Sequence, residues 1–288
     1  MGGPIFSIND LDSIATPCDV FFFRTKKGSA LNGVSPMFNI DGLHQHGIDY
    51  FRIEAFVDCV LHTIDLGVVQ KFNGLVIVSA LLRDVFDSRA ENLHSRVHTG
   101  LKVIRKRLKD YYKQKRTADP HRPLTTIKKL TVGMLGRFRN PTLKLKGGEG
   151  RDLIDFCTGL ANEFPAKLGE RGRLLAAAGA SLKAFLDILR QEQRDLAPEA
   201  LQVRNQLMTH AIRFNTCYKL AGGKMVYKHH GMVHMVHAMS LHGNAAYYST
   251  HEDESENGEV AQIAQAAHMA KMAFTVLQRC VVVETHLR

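Results

Sequence analysis

The sequence predicts a mainly α-helical chain, with a few short strands confined to its N-terminal part. Three observations lead there. Apolar residues recur at steps of three and four over long stretches beyond residue 50, which gathers them on one helix face. Prolines and glycines crowd the first 36 residues and then thin out into punctuation between helical stretches. The 45% hydrophobic and 23% charged fractions are those of a chain that can bury a core.

In chain order, Pro4, Pro17, Gly28, Gly33 and Pro36 interrupt the start, and the apolar runs VFFF (20–23) and MFNI (37–40) are the expected strands. Phe56, Val60, Ile64 and Val68 then keep helical spacing. Asn73-Gly74 interrupts that pattern, and LVIVSALLRDVF (75–86) resumes it as a buried helix or a strand. Over 90–116, Leu93, Val97, Leu101, Ile104, Leu108 and Tyr111 form an apolar stripe, with cations on the other faces. That helix stops before TADPHRP (117–123). Residues 124–150 read mostly as loop. Helices are expected at 150–163, 170–194, 198–220 and 229–241, with Pro198 in the first turn of the third and Gly222-Gly223 ending it. A last helix, 255–283, carries the seam Val260, Ile263, Ala267, Ala270, Phe274, Leu277 and Val281. The seam buries within the domain or pairs with another chain, which would make a homo-oligomer.

No run of about 18 uninterrupted apolar residues is present, so no membrane span is expected. MGGPIFSINDLD lacks a basic stretch followed by an apolar one, so secretion is not expected either. Five scattered cysteines without a CxxC pair read as free thiols in a reducing, intracellular compartment.

The net charge of +10 is concentrated. Residues 101–151 hold 16 Lys/Arg against Asp110, Asp119 and Glu149, while the remainder is slightly acidic. Such asymmetry points to a polyanion, DNA or RNA, and hence to the nucleus. The residues expected to neutralise phosphates are Lys102, Arg105, Lys106, Arg107, Lys109, Lys113, Lys115, Arg116, Lys128, Lys129, Arg137 and Arg139. Tyr111, Tyr112 and Phe138 lie among them, as stacking platforms or as core. Charge that serves only solubility is the competing reading, with the protein a non-enzymatic helical interaction module.

Two further clusters carry chemistry. KHHGMVHMVHAMSLHG (228–243) places His230 and His234 four apart and His237 three beyond, a spacing that can hold Zn²⁺. The alternative is helix-face histidines satisfied by hydrogen bonds. HEDESENGE (251–259) is acidic at an expected helix start, where carboxylates either hold Mg²⁺ or Mn²⁺ or simply oppose the helix dipole.

VDCVLHTIDLGVVQKF (57–72) and KHHGMVHMVHAMSLHGNAAYYSTHEDESENGEVAQIA (228–264) together resemble the transposase core of Kyakuja–Dileera–Zisupton elements and their CACTA-type relatives. His62, Leu66, Gly67 and Val68 match an early DxxHxxxLGV block. Lys228, His230 and His234 match KxHxxxH, Gly243 the link, and Glu254, Ser255, Asn257 and Gly258 the closing block. LKGGEGRDLIDF (145–156) resembles the intervening segment more loosely. The resemblance implies an RNase H-like core, of which the N-terminal strands are a remnant, with a helical insertion. It divides the chain into 1–72, 73–225 as the basic insertion, and 226–288. It implies Asp58 and Glu254 as the catalytic, metal-holding carboxylates, with Mg²⁺ or Mn²⁺ as cofactor if the protein is active and none otherwise. Cys59 stands where the middle Asp belongs, and Asp58 is displaced by one residue, a turn of about 100° on a helix. Asp41 is a poor substitute for the first Asp. The implied protein is a truncated or diverged transposase that retains DNA contacts without full cleavage.

Overall fold

The computed structural model describes residues 58–87, 89, 92–191 and 200–250. These are mainly helical. They belong to the second of two units that divide between Phe56 and Val57. The expected strands at 20–23 and 37–40, Asp41, Pro198 and the 255–283 seam lie outside the described residues.

A π-helical segment, Leu61–Val69, runs straight into α1, Gln70–Leu82. Val68, Phe72, Val76 and Ala80 are fully buried, and so are neighbours on other faces such as Ile77. A helix apolar all round belongs at the centre of a core. By length and composition Leu61–Leu82 could cross a bilayer, yet 83% of its apolar window is buried inside the fold.

The expected break at Asn73-Gly74 does not occur; the helix passes through it. Tertiary contact overrides the turn preference of this pair. A Cβ on Gly74 would lie 2.8 Å from the Leu143 amide nitrogen, so the missing side chain lets the 142–143 backbone lie against α1. Leu143 N–H donates to the Gln70 carbonyl (2.9 Å), and the Asn73 side chain donates to the Gly150 carbonyl (2.9 Å).

Helix α2, Leu93–Ala118, begins where the Asn92 side chain accepts the Ser95 N–H, a standard N-cap. Val97, Leu101, Ile104 and Leu108 are buried as the stripe predicts. At its ends the stripe fails: Leu93 is 49% exposed, and Tyr112 is buried more deeply than Tyr111. The stretch expected as loop, 124–150, holds a 3₁₀ turn (Val132–Leu135) and a tight hairpin. In the hairpin β1 (Gly136–Arg137) pairs antiparallel with β2 (Asn140–Pro141). These are the strands among the described residues.

Short α3 (Gly147–Asp152), α4 (Ile154–Glu163) and α5 (Pro165–Leu168) follow. Then come α6 (Glu170–Gln191), α7 (Ala200–Leu220) and α8 (Tyr227–His242). Helix α6 packs on α4 and α7, and α8 packs on α7 and on the π-helical segment. Gly222 (φ 83°) and Gly243 (φ 75°) end α7 and α8 in the left-handed region that favours glycine. A 3₁₀ turn, Ala245–Tyr248, brings the chain back towards residues 59–62.

Candidate functional site

The basic segment forms a groove. Residues 126–130 run antiparallel alongside α2, tied at both ends: Ile127 N–H donates to the Tyr112 hydroxyl (3.3 Å), and Arg105 Nε donates to the Leu130 carbonyl (2.7 Å). Between them lies a concavity of about 920 Å³. Its lining carries seven cations, Arg105, Lys106, Lys109, Lys113, Arg116, Lys128 and Lys129, against the single carboxylate of Asp110. Burial pushes the Tyr112 phenol up to about 12, so it stays neutral beneath them.

The other five expected phosphate contacts separate from this groove. Arg107 makes a two-pronged ion pair with Glu163 (2.5 and 2.6 Å) and lies over the rings of Phe86 and Phe164. Lys115 pairs with Asp155 at 2.7 Å and lies against the Tyr111 ring. Both cations are used to hold α2 to the rest of the fold. Lys102 is exposed on α2 outside the groove lining, and Arg137 and Arg139 are exposed at the hairpin. The aromatics are committed to packing. Tyr111 donates to the Asp152 carbonyl (2.8 Å) with its ring edge-on to Phe156, and Phe138 packs against the core.

A second assembly forms where α8 lies against the π-helical segment. It gathers Asp58, His62 and Gly67 from one motif block with Lys228, His230 and His234 from the other. The Lys228 side chain crosses Gly67 where a Cβ would stand, and its ammonium donates to the Leu66 carbonyl (3.3 Å). Asp58 precedes the helix, so the turn of 100° per residue does not govern its aim. Its carboxylate accepts from the Thr63 hydroxyl (3.2 Å) and rests on Gly231, where a Cβ would meet both oxygens at 3.0 Å. His230 and His234 bring their Nε2 atoms to 2.7 Å, and His237 is exposed one turn further along.

Cys59, the residue in the expected Asp position, is held by the returning chain. Its sulfur lies 3.1 Å from the Thr250 hydroxyl, which also lies 3.3 Å from His62 Nδ1. Thr250 N–H points at the same sulfur (3.4 Å). Burial alone would raise the thiol. Hydrogen bonds from Thr250 and then His62 outweigh burial and bring it down to about 6.

His229 is fully buried, stacked on Phe214 and Tyr218. Its Nδ1 accepts the Val226 N–H (3.2 Å), and burial, with the nearby Lys71 charge, lowers it to about 4. A neutral core histidine is therefore the fate of one member of the histidine cluster.

Glu254 and Asn257 lie outside the described residues. Among the described residues no group of three or more His, Cys, Asp or Glu could hold a metal ion. Asp58 supplies one carboxylate, which does not organise a two-ion site. Glu254, the other carboxylate the resemblance implies, lies outside the described residues.

Asp65 is a residue the motif reading passed over. It is fully buried in the LGV block, and Arg151 of α3 donates to it at 2.5 Å. A carboxylate inside an apolar run needs a cation, and that was the available signal. The i, i+4, i+8 stripe of Arg107, Tyr111 and Lys115 was likewise the signal that these cations face another helix. No family model matches the chain, and no curated protein or solved structure matches it.

Proposed function

We propose that the protein binds nucleic acid through its phosphates in the α2 groove, and that it descends from a transposase without retaining full cleavage activity. The observation that carries the binding reading is the groove itself: seven cations facing one carboxylate in one concavity, six of those cations exposed. Arg107 and Lys115, by contrast, are engaged in ion pairs with Glu163 and Asp155. The descent is supported by the packing of two motif blocks, some 160 residues apart in sequence, onto each other through Gly67, Lys228, Asp58 and Gly231.

The test is anisotropy of a labelled DNA of arbitrary sequence with the full chain, from about 50 to 200 mM salt, a range over which several phosphate contacts cost orders of magnitude in affinity. Binding that collapses across this range supports the reading; no binding at the lowest salt sinks it. A second reading, transition-metal binding, has the His230–His234 contact in its favour. Titration with Zn²⁺ tests it, with His234→Ala expected to abolish any heat of binding.

A further inference from the structure

We infer that the α2 groove takes one unpaired phosphodiester strand by its backbone without stacking on its bases, an inference that rests on the nucleic-acid reading above. The cations stand on both sides of the concavity. Arg105, Lys106, Lys109, Lys113 and Arg116 come from α2, and Lys128 and Lys129 come from the segment tied alongside it. Arg105 to Arg116 spans about 16 Å of helix. A single strand laid along this length is contacted from two sides. In a duplex the second strand occupies one side of each backbone, which hinders contact from both sides.

Nothing in the groove offers a base a ring to stack on. Single-strand binders that grip bases offer exposed aromatic faces. Here the one aromatic in the lining, Tyr112, is 7% exposed, and its hydroxyl is taken by the Ile127 N–H. The apolar floor of Leu108, Ile127 and Leu130 is also buried, so it offers bases no surface. No Asn or Gln, the usual partners of adenine edges, lines it. The seven cations bind phosphate without regard to sequence.

The experiment compares three labelled probes of equal length on the full chain at low salt: a poly-dT strand, a strand of the same backbone with abasic sites throughout, and a duplex. Inorganic polyphosphate serves as competitor. Removing bases that stack would cost about fivefold or more for each base. The groove predicts that the abasic strand binds within about twofold of poly-dT, because phosphates supply the affinity. Polyphosphate displaces both, and the duplex binds more weakly. Lys109→Glu and Lys128→Glu, exposed and one on each side, each weaken the single strand. An abasic strand that fails to bind while poly-dT does, or a duplex that binds as tightly as the single strand, overturns the inference and leaves nucleic-acid binding standing. Absence of binding by all three probes instead overturns the reading beneath it.

Discussion

Arg151→Ala should be among the most damaging single changes away from the apolar core. Asp65 is fully buried, while Arg151 is 20% exposed and reaches it at 2.5 Å. Removing the cation leaves a carboxylate in an apolar helix that cannot leave the core, because Leu61, Ile64 and Val68 pack around the same turn. Breaking such a pair from one side costs about 3–5 kcal/mol. For a unit of this size that is a fall of about 6–20 °C in melting temperature. Arg173→Ala is the contrast: its ion pair with Glu170 is 69% and 64% exposed, and surface pairs are worth about 0–1 kcal/mol. Replacing both partners, Asp65→Leu with Arg151→Met, should recover most of the loss, since an apolar pair carries no desolvated charge. Calorimetry of the three variants checks this. An Arg151→Ala protein that melts with the Arg173→Ala control would refute the reasoning.

Three further outcomes follow from the packing. Gly74→Ala gains about 1 kcal/mol of helix propensity but drives a methyl against the 142–143 backbone, costing about 1–3 kcal/mol, so its urea midpoint should fall; a rise would mean the close approach is absent. His229, lowered from 6.5 to about 4, stays neutral in the folded state while the unfolded chain takes up a proton. Stability should therefore be full above pH 6.5 and drop by about 3 kcal/mol as pH falls to 4. His229→Gln should remove that part of the slope in urea titrations, and an unchanged slope would contradict the assignment. Cys59, brought down to about 6, should alkylate before buried Cys157 and Cys217, with its rate half-maximal near pH 6. Thr250→Val should move that midpoint upward, measured by peptide mapping, and no movement would remove Thr250 as the cause.

Much of the helical architecture is legible in the sequence because helices bury stripes, and stripes are periodic. Val97 to Leu108 place α2 correctly, and Gly222 marks a real end. What local pattern cannot show is where another backbone will press. Asn73-Gly74 reads as a turn by itself and becomes a close-packing point only once residues 142–143 lie against it. The basic site was half legible. Charge density points to the segment that forms the groove, but the difference between Lys109, which lines the groove, and Arg107, which pairs with Glu163, depends on which helix neighbours α2. The one-residue displacement of Asp58 re-aims its carboxylate only on a helix, and Asp58 lies before the helix begins.

On the proposed reading, phosphate contact belongs to the groove and not to the basic segment at large. The most direct measurement is the salt dependence of single-strand binding for two charge-matched variants. One is Lys106→Ala with Lys109→Ala, Lys113→Ala and Lys128→Ala; the other is Lys102→Ala with Lys144→Ala, Arg137→Ala and Arg139→Ala. Each lost phosphate contact lowers the slope of log K against log salt by about 0.7 on a single strand. The groove set should lose up to about 3 units of slope and the second set almost none. Equal losses from both sets would mean that net charge alone attracts the strand, and the groove would not be the site.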